Sequence, residues 1–435
     1  MITVAKFGGS SVASAAQFRK VKEIIDADKK RKAVVVSALG KRFKGDNKVT
    51  DLLFLLSAHI RYGVDCSAVL NSIFERYEEI RKELGISVDL KREFDVIKEN
   101  IARRASEEYI VSRGEYLCAK LMAEYLGFSF VDAAEIVFFR YDGKIDYEKT
   151  GEAVRSAFEK VGNIVVPGFY GAYPTGEIKL LSRGGSDITG SLLAMALGAE
   201  KYENWTDVSG MLSADPKIVK DPKGIKEVTY SELRELSYMG ASVLHEETIF
   251  PIRELNIPIH ILNTNRPDDE GTMILKSSND KSSIITGIAG KKNYRAFTVL
   301  KEISADKFAV IRKALDTFAS FKVAVEHIPT AIDSFTVIVD GASVEKIVYD
   351  VISELKKIDG VISVEVDNDL ALVAVVGRNM ALKPGMSGTL FSIFGKNGIN
   401  IKTIAQSAKE ISIIVGVSNE DFENAVRAIY NEVVL

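Results

Sequence analysis

Cysteine is nearly absent: Cys66 and Cys118 are the only two among 435 residues. They stand too far apart for a CxxC metal knuckle and are too few for a disulfide framework, which fits a reducing cytoplasm. The four histidines, His59, His245, His260 and His327, show no ligand spacing, so no zinc site or other resident metal is expected. No apolar run approaches the roughly 20 residues that span a bilayer. The start, MITVAKFGGSS, lacks the basic and apolar regions of a signal peptide. Neither sign of charge dominates, since 57 Lys and Arg face 60 Asp and Glu for a formal net charge of −3. That leaves no global basic field for nucleic acid or an anionic membrane. What remains is 46% hydrophobic and 27% charged residues, the balance of a soluble, intracellular globular protein. The length requires two or three domains.

Through about residue 290, strand-like runs alternate with helical patterns. Residues 2–7, 33–37, 164–169, 205–208 and 257–262 read as strands or strand ends. Residues 14–30 set Phe18, Val21, Ile24 and Ile25 on one helical face, and 50–126 is mostly helical. Strand, glycine turn, helix, strand predicts a parallel α/β sheet with ligands at the carboxyl ends of its strands. After about residue 292 an internal repeat begins, with a constant offset of 76 positions. Phe318, Val323, Val325, Ile328, Phe335, Val337 and Val339 correspond without a gap to Phe394, Ile399, Ile401, Ile404, Ile411, Ile413 and Val415. Each copy reads as helix, strand, loop and strand, followed by a further helical segment at 343–358 or 420–430, so two tandem βαββαβ units are expected.

Three glycine-bearing or polar turns carry the chemistry. Lys6-Phe7-Gly8-Gly9-Ser10-Ser11 closes the first strand. Adjacent glycines admit a polyphosphate to backbone N–H groups, and Lys6 supplies a positive charge for phosphoryl transfer. The string is neither GxxxxGK[ST] nor GxGxxG, and a plain turn with a surface lysine reads the same way. Ser182-Arg183-Gly184-Gly185-Ser186-Asp187 precedes an apolar helix. Arg183 can hold a carboxylate bidentately; Ser186 or Asp187 sits where a helix cap would, but an Arg and an Asp flanking the turn are more than a cap requires. Trp205-Thr206-Asp207-Val208-Ser209-Gly210 ends another strand. Smaller signals are Thr50, a cap or a ligand, and Ser112-Arg113-Gly114-Glu115, which places an acid just inside a helix. Residues 40–48 (GKRFKGDNK) form a basic loop, solvated or able to close over phosphates.

Taken in order, KFGGSS at 6–11, VTD at 49–51, SRGE at 112–115, RGGSD at 183–187 and WTDVSG at 205–210 resemble the aspartate kinases of the amino-acid-kinase superfamily. That family carries two C-terminal ACT domains, so the resemblance takes in the repeat; Gly398-Ile399-Asn400-Ile401 is similar to the ACT motif. The implied fold is α/β. A three-layer amino-acid-kinase sheet with helices on both faces (1–290) precedes two ferredoxin-like ACT domains, 293–366 and 367–435, sequential or interleaved. The implied reaction is ATP plus L-aspartate to ADP and 4-phospho-L-aspartate, the first step towards lysine, threonine and methionine, with Mg2+ accompanying ATP. Lys6, Phe7, Gly8, Gly9 and Ser10 would meet the phosphates, and Lys6 with Asp187 would be catalytic. Thr206, Asp207, Leu212, Lys217, Ser242 and Val243 would surround the rest of the nucleotide. Thr50, Glu115, Arg183, Gly184, Gly185 and Ser186 would hold aspartate, with Arg183 on its α-carboxylate and Glu115 on its ammonium group.

One departure stands out. Many relatives read GAKVLHP where this chain has Gly240-Ala241-Ser242-Val243-Leu244-His245-Glu246, so Ser242 replaces a nucleotide-contacting lysine and Glu246 a proline. No GxGxxG segment follows the repeats, so a fused homoserine dehydrogenase is not expected. Competing readings are an acetylglutamate or glutamate kinase on the same scaffold, and a non-catalytic amino-acid sensor. The chemistry needs no histidine or nucleophilic serine, because a carboxylate with a reference pKa near about 4 is already an anion. The resemblance also implies a homo-oligomer joined through the ACT domains and a lysine or threonine effector. In the first copy, Glu326, Asp333 and Ser334 are the candidate effector contacts. Glu326 either receives the effector's ammonium or is a solvated edge-strand charge, and the corresponding Lys402 would repel it.

Overall fold

The structure, a computed structural model, describes every residue except 183, 242–243, 245, 281–282, 407–410 and 435, and omits the side chains of 246 and 247. The chain forms two compact units. The first comprises Met1–Met211, Gly224–Tyr230 and Val243–Ser278, the second Leu212–Lys223, Ser231–Ser242 and Asn279–Leu435. Segments 212–223 and 231–242, inside the expected 1–290 span, thus group with the C-terminal unit.

In the first unit, β1 (Thr3–Phe7), β2 (Arg31–Val36), β3 (Ser129–Phe130) and β4 (Ile164–Pro167) lie on one side of an eight-stranded sheet. A hairpin of β5 (Tyr170–Ala172) and β6 (Ile178–Leu180) stands apart from it. The sheet continues with β7 (Lys201–Thr206), β8 (Glu227–Thr229), β9 (Ile259–Asn263) and β10 (Thr272–Leu275). The order is β3-β4-β2-β1-β7-β9-β10-β8, and every neighbouring pair is parallel except β9 and β10. All five residues of β1 are buried, as a central strand covered on both faces requires.

Helix α1 (Ala15–Ala27) is capped by Ser14, whose hydroxyl accepts from Gln17 N, and it buries Phe18, Val21, Ile24 and Ile25. The expected helical stretch is four helices: α2 (Val49–Tyr62), α3 (Ser67–Leu84), α4 (Leu90–Ala102) and α5 (Glu107–Leu126). Short α6 (Ala133–Ile136), α7 (Tyr147–Val161), α8 (Gly185–Leu197) and α10 (Glu246–Arg253) complete the unit, while α9 (Tyr230–Tyr238) passes from Ser231 onward to the second.

The second unit is built on a six-stranded antiparallel sheet, β12-β13-β11-β14-β16-β15. Its strands are β11 (Gly287–Lys301), β12 (Val325–His327), β13 (Ser334–Asp340), β14 (Val361–Val376), β15 (Thr403–Gln406) and β16 (Ser412–Val417). The helices are α11 (Lys307–Ser320), α12 (Gly341–Val344), α13 (Val348–Lys356), α14 (Met386–Lys396) and α15 (Phe422–Ile429). The long strands β11 and β14 pair along their whole length, from Gly287 opposite Val376 to Lys301 opposite Val361, so each serves both repeats.

Two separate cores result. Phe318, Phe335, Val337 and Val339 belong to one, and Phe394, Ile413 and Val415 to the other. The repeat therefore holds for helices and inner strands but slips at the outer strand. Val325 lies opposite Val339, whereas the residue opposite Val415 is Ile404, the counterpart of Ile328. An irregularity between Val325 and His327 takes up one residue of the difference. Phe318 and Phe394 are fully enclosed at 0% and 1% exposure. Phe318→Ala and Phe394→Ala should each cost about 3–5 kcal/mol. Denaturant titration of each variant checks this, and because the cores are separate, the two losses should add.

Candidate active site

A cleft of about 690 Å³ opens at the carboxyl ends of β1, β2, β4 and β7, all within the first unit. This is where strand order in an open parallel sheet turns to both sides and ligands sit. β1 delivers Lys6, Gly8, Gly9 and Ser10 to it, and β7 delivers Thr206 and Asp207. Helix α2 brings Thr50, α5 brings Glu115, and the start of α8 brings Gly184, Gly185, Ser186 and Asp187. Twelve residues expected at the site therefore line one cavity.

The glycine turn lies tight against the end of β2. Gly40 N donates to Gly9 O at 2.9 Å, and a Cβ at Gly40 would fall 2.5 Å from the Gly9 carbonyl carbon. Lys6 is 7% exposed, and its ammonium lies 2.5 Å from Asp187 Oδ1, to which Asn204 also donates at 3.1 Å. Helix α8 starts at Gly184, whose φ of 81° is left-handed, and no side chain caps it. Its positive end thus faces the cleft with no side chain capping it, and the one acid of its first turn, Asp187, is paired with Lys6. Neither Ser186 nor Asp187 is the cap, and α2 is capped at Lys48 rather than Thr50. For these residues the capping role that the sequence allowed is not used.

Glu115 departs from expectation in a different way. Ser106 caps α5, so Glu115 stands in the middle of the helix rather than in its first turn. It is 3% exposed and its Oε2 has no hydrogen-bond partner. Burial pushes its carboxyl up to about 8, against the opposing pull of the Ala38 N–H and the Arg113 guanidinium. A buried acid with one unpartnered oxygen, lining a cleft, is suited to a cationic ligand group.

Some expectations are not met or fall outside the description. Phe7 is wholly buried and stacks on Trp205 with ring centroids 6.0 Å apart, so its side chain is core rather than nucleotide contact. Leu212 and Lys217 belong to the second unit and are not among the residues lining the cleft. Arg183, Ser242 and Val243 lie outside the described residues. The sequence reading missed Ser37, Ala38, Leu39, Gly40, Lys41, Lys48, Asp51 and Phe169 as lining residues. The basic loop 40–48 was the only signal for its two lysines.

The comparisons agree with this geometry. Residues 1–263 match the amino acid kinase family and residues 373–433 an ACT domain. "Aspartokinase 3" of Bacillus subtilis (strain 168) is 35% identical over 447 residues, covering 99% of this chain and 98% of that protein. The chain belongs to the aspartokinases. A solved structure of Clostridium acetobutylicum aspartate kinase has a TM-score of 0.95 at 44% identity, covering 99% of this chain and 100% of that one. E. coli aspartokinase III, solved in complex with lysine and aspartate in its T-state, has a TM-score of 0.77 at 25% identity over the full length of both. Like these aspartokinases, the chain has a kinase sheet followed by an ACT region, and among its described residues no helix is long and apolar enough to cross a membrane.

In the second unit, the candidate effector residues occupy β12 and the β12–β13 loop. The Tyr238 phenol hydrogen-bonds Glu326, and burial followed by this bond raises the phenol above its ordinary value. Glu326 is thus not a free, solvated charge. Asp333 O accepts from Lys301 N at 2.8 Å, and Ser334 opens β13. Lys402 is not free to repel anything: its ammonium lies 3.0 Å from Asp367 and 3.3 Å from Asp369.

Proposed function

We propose that the cleft binds ATP along the Gly8–Gly9–Ser10 turn and L-aspartate between Thr50, Glu115 and the start of α8. A β-carboxylate oxygen attacks the γ-phosphorus in line, the bond to the ADP oxygen breaks, and ADP leaves with the electron pair. The nucleophile is already ionised, so no general base is needed. The obstacle is repulsion between two anions, which Lys6 and the uncapped end of α8 offset. Asp187, itself held by Asn204, pairs with Lys6 until the phosphates compete for it. Mg2+ enters with ATP as part of the substrate.

The observation that carries this reading is that one cavity holds both Lys6 and a buried Glu115 whose Oε2 has no partner: a cation for phosphate and an acid for an ammonium group. An ATP-dependent hydroxamate assay tests it, because hydroxylamine traps an acyl phosphate. Signal with aspartate, but not with glutamate or acetate, supports the assignment, and its absence with aspartate overturns it.

Regulation belongs to the same proposal. An aspartate-family amino acid, lysine or threonine, binds the first repeat through Glu326, Asp333 and Ser334, and the edges β12 and β15 join a second copy in a cytoplasmic homo-oligomer. Glu326→Ala is expected to raise the inhibition constant by roughly 5- to 150-fold, the usual range of coupling between sites. Uninhibited turnover should stay within about twofold. Inhibition curves with lysine and threonine decide it, and an unaltered constant for the inhibiting amino acid removes Glu326 from the site.

A further inference from the structure

Loop 40–48 leaves the carboxyl end of β2 and returns at the start of α2, with its base closed by Val49 N donating to Leu39 O at 3.0 Å. Four of its nine residues are basic, and such a loop would ordinarily be mobile. Here it is fastened from behind by one buried side chain. Arg76, on α3 and 5% exposed, donates to Gly40 O at 2.7 Å and to Asn47 O at 3.1 Å, and lies 3.3 Å from Asp46 Oδ2. Arg42 closes the loop on itself, donating from Nε to the same carboxylate at 3.0 Å while reaching Glu79 of α3 at 3.1 Å.

The two carbonyls that Arg76 grips belong to the peptide groups leading into Lys41 and Lys48. Fixing those peptide planes towards α3 fixes where the next two residues depart. Both Lys41 and Lys48 line the cleft, on the side where Gly40 meets Gly9. Among the described residues neither ammonium has an ion pair or side-chain hydrogen bond, whereas Arg42 and Arg76 are both paired; Lys44, also without a pair, does not line the cleft. Two unpaired ammonium groups beside a phosphate-type glycine turn are placed for a polyanion. A planar fork that spans three acceptors can hold such a loop, and a lysine at position 76 cannot.

We propose that Arg76 is a positioning residue for phosphoryl transfer, holding loop 40–48 so that Lys41 and Lys48 form a second limb of the nucleotide-phosphate site. This rests on the assignment of the Gly8–Gly9–Ser10 turn to phosphate. Loss of two charge-assisted contacts predicts that Lys41→Gln with Lys48→Gln weakens ADP binding at least about tenfold and flattens its salt dependence. Arg76→Met should do the same, with the Michaelis constant for ATP rising more than turnover falls, and Arg76→Lys should restore little.

Calorimetric titration of ADP into the full chain is the experiment, run on the lysine pair, on Arg76→Met, on all three changes together, and on Lys6→Ala. If Arg76 acts through the lysines, the triple variant binds no worse than the lysine pair, whereas a merely structural arginine gives additive losses and overturns the proposal. Should Arg76→Met fail to fold, the lysine pair decides, and wild-type ADP affinity in it refutes the second limb. Weakened binding in Lys6→Ala alone sinks this inference and spares the phosphate turn; unchanged binding in Lys6→Ala sinks the turn itself.

Discussion

Replacing Lys6 with alanine should lower turnover by at least about 100-fold, the scale of losing one preorganised contact to transition-state charge, with little change in thermal stability. Lys6 sits towards the end of a fully buried central strand, and its ammonium lines the cleft. Its partner Asp187, with 17% of the side chain exposed, keeps Asn204 as a donor when the lysine is gone, so the fold is left with a solvated acid rather than a stranded one. The reaction is left worse off, because Asp187 then repels the phosphates that Lys6 attracted. Removing both should therefore cost less than the sum of the single changes. Hydroxamate kinetics on Lys6→Ala, Asp187→Ala and the pair check this, with melting curves as the control. Near-normal turnover in a folded Lys6→Ala protein would take Lys6 out of the chemistry.

The parts of the molecule with a strong apolar period were legible before the structure. The continuous run ending at Phe7 became β1, and the face of Phe18, Val21, Ile24 and Ile25 became the buried side of α1. Glycine turns at strand ends were legible for the same reason, since a strand followed by Gly8-Gly9 can only deliver its next residues to one edge of the sheet. What stayed hidden depends on pairings between distant segments. Nothing near Glu115 shows that α5 starts at Ser106 and carries the acid to its middle. Nothing near Lys41 shows that Arg76, from another helix, aims the loop. The gapless repeat put Lys402 at the position of Glu326 and implied that it repels an ammonium group, yet the outer strands pair in different registers, and Asp367 and Asp369 neutralise Lys402. Phe7 misled because a motif residue can belong to the strand's packing rather than to its ligand.

Glu115 offers the second large effect, and its sign can be worked out. With its carboxyl raised to about 8, the free enzyme holds a proton on Glu115 at neutral pH. Binding an ammonium group requires the carboxylate, so aspartate must displace that proton. The kcat/KM for aspartate should then rise close to tenfold per pH unit up to about 8 and level off above it. ADP affinity, set elsewhere in the cleft, should not share this profile. Glu115→Gln keeps the shape but not the charge. Losing one member of a buried charge pair typically costs about 2–5 kcal/mol, which predicts an aspartate KM at least about 30-fold higher and a flat pH profile. Stability should move the opposite way. A carboxyl raised above its unfolded value near 4.5 stabilises the fold only while protonated, so its contribution is complete below that value and is lost as pH rises through about 8. Glu115→Gln, with no proton to lose, should therefore melt higher than the native protein at pH values above about 8 while binding aspartate poorly. Aspartate kinetics and melting temperatures measured across that window separate the two roles. A native kcat/KM for aspartate that stays flat, or a Glu115→Gln variant with native aspartate KM, would show that this acid does not meet the substrate.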